Sequence, residues 1–395
     1  MDKNSVNRRS FLRISATAGA GALLIPGAAA SGLNKAVETQ KTTFPTRTLG
    51  RTGIELPVLS MGVMRADNPN VVRAAYNAGI THFDTAHGYQ NGRNEEMLGN
   101  FFQDKPRDSF YIATKGKFEY PLRDTFEADY TALLDLSLSR LKMDYVDWFY
   151  THALDSVEQI TEERVIAQLK KFKAEGKIRH LGISTHALKP ELIDAAVDAG
   201  VYDVVLLSYN FKLNNLKETD EAIARGVKAG VGFVAMKSMT GAREDAEGKK
   251  KVNSTACLKW VWQNENITTT IPGFSSFDEL DECLAAVGDL KLSPDENEYL
   301  ANLRNQEMLF CQRCGECEKQ CKEHLPIPEL MRAYMYAYGY RQSSLSHETM
   351  AELSLPQEMC KSCTNCSVKC TSGFDVARKI AAIAPVRNVP VELLT

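Results

Sequence analysis

The sequence predicts an α/β protein in which a (β/α)8 barrel is followed by a small, mostly helical, cysteine-rich domain. Three observations support this prediction. Short apolar runs alternate eight times with amphipathic segments of helical period between residues 42 and 300. Eight of the ten cysteines lie between Cys311 and Cys370. The chain of 395 residues is long enough for two domains, which we expect at residues 42–300 and 305–395.

The composition is that of a folded protein whose partners are small molecules. Hydrophobic residues make up 44% of the chain and charged residues 25%, which excludes a disordered or low-complexity protein. The 47 basic and 50 acidic residues give a net charge of −3. This near-neutral balance provides no electrostatic footprint for nucleic acid or for an anionic membrane surface. We therefore expect no nucleic-acid partner.

Residues 1–30 have the order of features found in a cleavable export signal. A basic segment with Arg8 and Arg9 precedes the apolar run 14–30, which is too short and too weakly hydrophobic to stay in a bilayer. Alanines at 28–30 provide a small-residue cleavage site. The segment resembles a twin-arginine signal, which implies export of the folded protein to the periplasm or another extracytoplasmic space, with no stable membrane insertion after cleavage. The alternative is a basic terminus beside an incidental apolar stretch.

The barrel elements follow from apolar runs and helix-ending residues. Gly176, Gly200 and Gly230 stand where helices are expected to end, as is typical of a glycine after the last helical turn. One amphipathic helix is expected over residues 160–177. A hairpin is expected at 46–49 and 54–57, and the strands at 59–64, 82–86, 110–115, 146–152, 180–185, 204–210, 232–237 and 268–273. In such a barrel, the carboxyl ends of the strands meet at one mouth, where the chemistry is assembled.

Four polar side chains occur at or just beyond the ends of strands two, three and four. Asp84 and Tyr89 lie in His-Phe-Asp-Thr-Ala-His-Gly-Tyr, Lys115 in Ile-Ala-Thr-Lys, and His152 in Phe-Tyr-Thr-His. A phenol with a pKa of about 10 is a poor acid at neutral pH unless a neighbouring cation stabilises its anion, and Lys115 is expected to be that cation. The remaining candidate histidines are expected to be structural, namely His87, His180 and His186.

Residues 42–300 resemble the aldo-keto reductases. The resemblance is carried by these four residues, by Gly-Lys-Ile-Arg-His-Leu-Gly-Ile-Ser at 176–184 and by Ile-Pro-Gly at 271–273. It implies that Tyr89 is the proton donor, that Lys115 and Asp84 activate it, and that His152 donates a hydrogen bond to the substrate carbonyl. It also implies hydride transfer between a nicotinamide and a small carbonyl or alcohol substrate. We therefore expect an oxidoreductase.

The same resemblance implies a set of dinucleotide contacts. Ser184 would hold the carboxamide and Lys237 would meet the pyrophosphate, whereas Thr185 and Ser208 stand where the family commonly has Asn and Gln. The segment 273–279 lacks the basic residues that hold the 2′-phosphate, and its two acidic residues would repel that group, which favours NAD(H) over NADP(H). An exported enzyme would have to retain its dinucleotide. The candidate contacts are Ser184, Thr185, Ser208, Met236, Lys237, Gly273 and Glu282.

The cysteine-rich tail contains the spacing CxxCxxCxxxC twice. Three cysteines at steps of three can bind one 4Fe-4S cluster, and the fourth reaches the neighbouring cluster in two-cluster ferredoxins. The tail resembles such a domain of the helical kind, with a helix expected over 328–340. Lys322 and Thr371 replace the proline that usually follows the fourth cysteine. The expected ligands are Cys311, Cys314, Cys317 and Cys370 for cluster one, and Cys360, Cys363, Cys366 and Cys321 for cluster two.

Other interpretations of the tail remain open. Zinc is the main alternative, although zinc sites usually combine two cysteine pairs separated by a longer loop. We interpret the alternate tyrosines from Tyr334 to Tyr340 as core or interface packing rather than as an electron conduit. Cys257 and Cys283 lie on barrel helices and are expected to be buried thiols.

Function can be assigned in three ways from these features. In the first, the barrel transfers hydride and the clusters exchange single electrons with a redox partner protein. In the second, the barrel is catalytic and the clusters are purely structural. In the third, the protein is a non-catalytic electron-transfer or scaffold subunit whose barrel only binds a ligand. Substrate choice would depend on mouth loops, and on the tail if it folds over them, at Met64, Arg65, Leu154, Met239 and Arg243.

Overall fold

The computed structural model describes residues 44–187, 190–240, 251–304, 306, 309–361, 363 and 365–394. These residues belong to one compact unit, which extends from Lys41 to Thr395. The export signal expected at residues 1–30 lies outside the described residues, and so does Arg243.

A sheet of eight parallel strands forms the centre of the molecule, and neighbouring strands follow chain order. Parallel bridges from Leu59 to Thr270 and from Gly62 to Gly273 join its two edges, so the sheet is a nearly closed barrel. The expected (β/α)8 barrel is confirmed. The strands, including the antiparallel hairpin β1–β2, are β1 (Thr46–Thr48), β2 (Glu55–Pro57), β3 (Met61–Gly62), β4 (His82–Asp84), β5 (Tyr111–Gly116), β6 (Val146–Thr151), β7 (Ile178–Thr185), β8 (Val204–Ser208), β9 (Gly232–Met236) and β10 (Thr269–Thr270).

Helices alternate with the barrel strands and then continue into the tail. At least one helix follows each strand from β3 to β10. The α-helices of the described residues are α1 (Pro69–Ala78), α2 (Arg93–Phe102), α3 (Phe126–Leu141), α4 (Val157–Thr161), α5 (Glu163–Ala174), α6 (Pro190–Asp198), α7 (Leu216–Lys228), α8 (Ser254–Trp262), α9 (Phe277–Val287), α10 (Pro294–Arg304), α11 (Ile327–Tyr338), α12 (Ser343–Ala351) and α13 (Val376–Ile383).

The local structure agrees with the sequence patterns except after β6. Gly176, Gly200 and Gly230 have φ angles of 75°, 67° and 84°, so they provide the left-handed turn after a helix, as expected. The single helix expected over 160–177 is instead two helices. Glu162 adopts an extended conformation between them, and its side chain accepts a hydrogen bond from the first turn of α5.

The barrel is filled with side chains and closed at one end. Trp148, Tyr150 and Leu206 are fully buried in its interior. Leu49 and Leu56 of the hairpin are also fully buried and pack against this interior cluster from the amino ends of the strands. A larger apolar layer lies between the strands and the surrounding helices. The carboxyl ends of the strands are therefore left to form the functional mouth.

The tail forms a second hydrophobic cluster. Leu330 and Met331 of α11 pack with Ile380 of α13, and Met64 of the barrel packs against the same cluster. The buried thiols expected at Cys257 and Cys283 are confirmed. In the part of the chain that the structure describes, no helix is both long and apolar enough to cross a membrane.

Candidate active site

The four polar residues singled out in the sequence converge on the barrel mouth. Asp84 is the last residue of β4, Lys115 lies near the end of β5, and His152 directly follows β6. These strands are parallel neighbours, so their carboxyl ends lie side by side. The backbone N–H of His152 extends the ladder by donating to the Gly116 carbonyl at 2.8 Å. Tyr89 begins a short 3₁₀ turn after β4.

Lys115 and Asp84 form a buried ion pair at the base of the site. The Lys115 ammonium donates to the Asp84 carboxylate and, at 2.6 Å, to the carbonyl oxygen of Thr85. Both residues are 2% exposed. Burial lowers the pKa of Lys115 and raises the pKa of Asp84, and the ion pair opposes both shifts. Each residue therefore keeps its charge in this buried position only while the other is present.

Tyr89 lies between this ion pair and the cavity. Lys115 Nζ is 5.1 Å from the centroid of the Tyr89 ring, so the ammonium lies over the ring while its hydrogen bonds go to Asp84 and Thr85. Burial raises the pKa of Tyr89 well above its usual value, and the Asp84 charge raises it further. Tyr89 therefore holds its proton at neutral pH. The main charge that opposes the rise is Arg332 of α11, a residue of the tail.

His152 is a neutral imidazole. Burial lowers its pKa well below the usual value, and Lys115, Lys117, Arg332 and Lys237 lower it further. A neutral imidazole still carries one N–H, so it can donate a hydrogen bond to a carbonyl oxygen. Its ring meets that of Tyr89 edge to face, with the centroids 6.0 Å apart. The two groups can therefore address the same substrate atom.

A cavity of about 580 Å³ opens above these side chains. All four of them line it, and so do residues from the tail. Arg332 and Tyr336 project from α11, and Tyr340 follows that helix. Glu348 lies on α12, and Glu352 directly follows it. The tail thus forms part of the cavity wall.

Four of the candidate dinucleotide contacts also line this cavity: Ser184, Met236, Lys237 and Gly273. The Ser184 hydroxyl accepts a hydrogen bond from the Ala153 N–H at 2.9 Å, which leaves its own proton to donate. A hydroxyl donor, a thioether face and an ammonium fit the carboxamide, the ring and the phosphates of a nicotinamide dinucleotide.

Three candidate contacts lie outside the cavity lining. The Thr185 hydroxyl is used within its own turn, with 3.1 Å hydrogen bonds to the backbone N–H and carbonyl of Ala187. The Ser208 hydroxyl lies 3.5 Å from His186 Nδ1. Glu282 forms an ion pair with Lys251 on the outer side of α9.

The loop after β10 satisfies its own N–H groups with a carboxylate. The Ser275 N–H and hydroxyl donate to Glu279 Oε2 at 2.7 and 3.1 Å. The Arg65 guanidinium lies 3.6 Å from the other oxygen of Glu279. An acidic side chain therefore occupies the amino end of α9, where a bound phosphate would otherwise be favoured.

The cysteines of each motif interact electrostatically with one cysteine of the other motif. Burial raises the pKa of Cys311, and the neighbouring Cys317 and Cys370 thiols raise it further. Cys360 shows the same behaviour, with Cys321 of the first motif among the groups that raise its pKa. The fourth cysteine of each motif thus lies beside the first cysteine of the other. Within the described residues, no three His, Cys, Asp or Glu side chains form a group that could hold a metal ion.

Backbone N–H groups point at sulfur in both motifs. The Arg313 N–H donates to Cys311 Sγ, and the Ser372 N–H donates to Cys370 Sγ, each at 3.4 Å. Cys314 Sγ lies 3.4 Å from the Thr371 hydroxyl. N–H donors of this kind stabilise thiolates.

The alternate tyrosines of α11 separate into two pairs. Tyr334 and Tyr338 pack against each other within the tail, with ring centroids 4.5 Å apart. Tyr336 and Tyr340 instead line the cavity. Residues four apart share a helix face, which explains the pairing, but the sequence carried no signal for which face would meet the barrel.

Sequence analysis missed several cavity residues. His87 and His186, expected to be structural, both line the cavity, whereas His180 lies 3.5 Å from Asp203 at the opposite end of the barrel. Lys117 and Arg332 also line the cavity. Lys117 offered a usable signal, because it directly follows the strand that contains Lys115. Arg332 offered none, because its position in the cavity depends on how the tail docks.

Comparisons with known proteins agree with the barrel fold. Residues 59–253 match the Aldo/keto reductase family. L-galactose dehydrogenase of Arabidopsis thaliana is 27% identical over 303 residues, which cover 66% of this chain and 94% of that protein. L-glyceraldehyde 3-phosphate reductase of Escherichia coli O157:H7 is 27% identical over 314 residues, covering 63% and 89%.

A solved structure has the same fold. The holo form of an aldo-keto reductase from Bacillus halodurans aligns with a TM-score of 0.55 and 21% identity, over 66% of this chain and 96% of that one. The nearly closed eight-stranded barrel agrees with these matches, and the chain is similar to the Aldo/keto reductase family over residues 59–253.

Proposed function

We propose that this protein interconverts a carbonyl and an alcohol by hydride transfer with a nicotinamide cofactor. The observation that carries the proposal is the convergence of Asp84, Tyr89, Lys115 and His152 on one cavity at the barrel mouth. When bound, the nicotinamide supplies or accepts the hydride. The cavity volume of about 580 Å³ suits a small substrate beside part of a dinucleotide.

The side chains divide the remaining chemistry. His152, kept neutral by burial and by the surrounding cations, donates a hydrogen bond to the carbonyl oxygen and orients it. Tyr89, which keeps its proton at neutral pH, gives that proton to the oxygen as negative charge develops there. The Lys115 ammonium, held by Asp84, lies over the Tyr89 ring.

The proposal favours NAD(H) over NADP(H). Glu279 accepts hydrogen bonds from Ser275 and lies near Arg65, so the groups that would bind a 2′-phosphate already face a carboxylate. A second negative charge at this position would be repelled. Dinucleotide content after denaturation of the purified protein tests both the identity of the cofactor and its retention.

The activity is tested by comparing Tyr89→Phe with Tyr76→Phe. Tyr76 lies on α1 and bonds to Ser109, away from the cavity, so its variant is a matched control. Aldehydes and alcohols of sugars and sugar phosphates are the first substrates to test, because two relatives carry such names. We expect Tyr89→Phe to lose about 10²-fold or more of kcat and Tyr76→Phe to keep it. If the wild type turned over none of these substrates, the alternative function would be favoured, in which the protein is a non-catalytic scaffold whose barrel only binds a ligand.

The tail is proposed to hold two 4Fe-4S clusters with the crossed ligand assignment. The support is the proximity of Cys370 to Cys311 and of Cys321 to Cys360, together with the N–H donors that point at sulfur. Such clusters would exchange single electrons with a redox partner protein or would stabilise the tail. Iron and acid-labile sulfide content of the anaerobically purified protein shows whether clusters are present. Electron paramagnetic resonance before and after addition of substrate shows whether they exchange electrons or only stabilise the tail.

Export through the twin-arginine route remains part of the proposal. It is supported by Arg8 and Arg9 before the apolar run 14–30. Replacing both arginines by lysine should leave the protein in the cytoplasm, which cell fractionation would show. Periplasmic recovery of that variant would contradict the proposal.

A further inference from the structure

Tyr89 lies on the segment that joins β4 to α2, residues 85–92, which we call the Tyr89 segment. The segment ends with the 3₁₀ turn Tyr89–Gly92. Gln90 and Asn91, which directly follow Tyr89, have φ angles of 51° and 54°. This left-handed conformation is uncommon for residues that carry a side chain, and it persists only where surrounding contacts hold it. The conformation of the Tyr89 segment therefore depends on groups outside it.

The Arg140 guanidinium contacts this segment on both sides of Tyr89. Arg140 lies in the last turn of α3. Its Nη1 donates a hydrogen bond at 3.1 Å to the carbonyl oxygen of His87, two residues before Tyr89. Beyond Tyr89, a Cβ at Gly92 would lie 2.6 Å from Arg140 Nε, so the guanidinium occupies the space that a side chain at position 92 would need. One planar side chain thus faces the segment from before Tyr89 to after it.

Glu95 of α2 fixes the guanidinium in this place. Its carboxylate is fully buried and forms an ion pair with Arg140 Nη1 at 3.4 Å. The other oxygen of Glu95 accepts a hydrogen bond from the Thr114 hydroxyl at 2.6 Å, and Thr114 directly precedes Lys115 on β5. The backbone N–H of His87 donates to the Lys115 carbonyl at 2.9 Å. The same network therefore joins the strand that carries Lys115 to the segment that carries Tyr89.

The catalytic ammonium does not hold the phenol by a hydrogen bond. Lys115 Nζ lies over the Tyr89 ring, 5.1 Å from its centroid, and donates to Asp84 and to the Thr85 carbonyl instead. The position of the phenol therefore depends on the backbone that carries it, and Arg140 is the charged side chain that contacts this backbone on both sides.

We propose that Arg140, held by Glu95, is a positioning residue that keeps the Tyr89 phenol where it can give its proton to the substrate oxygen. The proposal rests on the carbonyl reduction proposed above. Arg140 is not among the residues that line the cavity, so it touches no bound substrate. Its loss should therefore lower kcat more than it raises KM, because a misplaced proton donor slows the chemical step without removing a contact to the substrate.

The test uses two double variants. Arg140→Met with Glu95→Gln removes both charges, so neither is left buried alone. The matched control is Arg107→Met with Asp147→Asn. That ion pair has a length of 2.7 Å, and its side chains are 26% and 6% exposed, against 18% and 0% for Arg140 and Glu95. Asp147 also accepts from the Ile112 N–H at 2.8 Å, at the amino ends of β5 and β6 and away from the cavity.

The first readout is independent of turnover. Amide hydrogen exchange is measured by mass spectrometry on the full-length protein without substrate. We expect exchange in residues 85–92 to be about tenfold faster or more in the Arg140/Glu95 double variant than in the wild type, and unchanged in the control. Wild-type exchange there in the Arg140/Glu95 variant, or an equal rise in the control, would overturn the proposal.

The second readout is kinetic. The Arg140/Glu95 double variant should lose about tenfold or more of kcat with KM within about twofold, and the control should keep both. An unchanged kcat, or an equal loss in the control, would overturn the positioning role. If the wild type reduces no carbonyl, the proposed function fails and the catalytic part of this role fails with it. Hydrogen exchange still decides whether Arg140 fixes the segment.

Arg140→Lys decides the matter if the Arg140/Glu95 double variant does not fold. Its ammonium can still neutralise Glu95, but it is a compact point charge and cannot contact the segment on both sides of Tyr89 as the planar guanidinium does. We therefore expect a wild-type unfolding midpoint together with faster exchange in residues 85–92 and a lower kcat. Wild-type exchange and kcat in Arg140→Lys would show that the guanidinium does not position Tyr89.

Discussion

At the scale of single residues, the site depends on charges that are buried together. Lys115 and Asp84 are each 2% exposed and satisfy each other, while His152 is kept neutral by burial and by four neighbouring cations. Removing one member of a buried pair leaves the other charge without a partner, and this costs more than the pair itself contributes. The catalytic and structural roles of these residues are therefore coupled.

Lys115→Met should be strongly destabilising because it leaves the Asp84 carboxylate buried without its cation. We expect the free energy of unfolding at pH 7 to fall by about 3–5 kcal/mol, as measured by urea denaturation. The loss should be smaller at mildly acidic pH, where Asp84 takes a proton. The double variant with Asp84→Asn should recover much of the stability, and a single variant as stable as the wild type would refute this account.

At the scale of elements, close backbone approach determines how the first helices pack. A Cβ at Gly99 of α2 would lie 2.3 Å from the carbonyl oxygen of Arg140 and 2.7 Å from the carbonyl carbon of Leu141, both in α3. Backbone atoms cannot move aside as a flexible side chain can. The two helices can therefore cross at this distance only because position 99 has no side chain.

Gly99→Ala should separate α2 from α3 and lower the free energy of unfolding by about 1–3 kcal/mol. Gly288→Ala is the control, because a Cβ there would meet only the Ala285 carbonyl at 3.8 Å. Thermal and urea unfolding of both variants would measure the difference. Equal stability of the two variants would show that α2 and α3 adjust without cost.

Asp203 joins several elements at the closed end of the barrel. Burial raises its pKa, but hydrogen bonds from His180, Arg51 and the Leu181 N–H, with the Lys173 charge, outweigh that effect and hold the pKa well below its usual value. A carboxylate with a lowered pKa stabilises the fold at pH values above its unfolded pKa of about 4.

The stability that Asp203 contributes should therefore be complete at neutral pH and should decline as the pH falls below about 4. Asp203→Asn is expected to cost about 2–3 kcal/mol at pH 7 and progressively less in acid. Denaturant titrations of both proteins at pH 7, 5 and 3.5 would measure this trend. A difference that stayed constant with pH would contradict the charge-based explanation.

At the scale of the whole molecule, the tail completes the active site. Arg332, Tyr336 and Tyr340 line the cavity from above. The Arg313 side chain bonds to Asp155 of the barrel at 3.1 Å and also to Glu329 of α11, so the first cysteine motif ties the tail to the mouth. Order in the cysteine motifs and order in the cavity are consequently linked.

If the tail holds the proposed clusters, removing iron should loosen the tail and impair the mouth. After chelation under reducing conditions, we expect hydrogen exchange to rise in α11 to α13 while the strands β5 to β8 stay protected, and turnover to fall. Anaerobic reconstitution with iron and sulfide should reverse both changes. If exchange in the tail did not respond to iron, the cysteines would not serve as its structural ligands.

Much of the fold and part of the site could be predicted from local patterns. The eight strands, the helix-ending glycines and the four mouth residues follow from periodicity and from the rule that parallel strands end at one edge. The break at Glu162 could not be predicted, because residues 160–177 keep one amphipathic period across it. The ion pair of Glu282 was also beyond local reasoning, because its partner Lys251 lies on another segment.

The sequence by itself determined the barrel, its four candidate catalytic residues and the two cysteine motifs, because each depends on spacing along one strand, one loop or one short run. Only the tertiary structure decided that Lys115 lies over the Tyr89 ring, that Lys237 donates to Tyr340, and that Arg332 faces the cavity. The physical reason is that these contacts join elements far apart in the chain. Their geometry depends on how the tail packs across the mouth, and no local pattern encodes that packing.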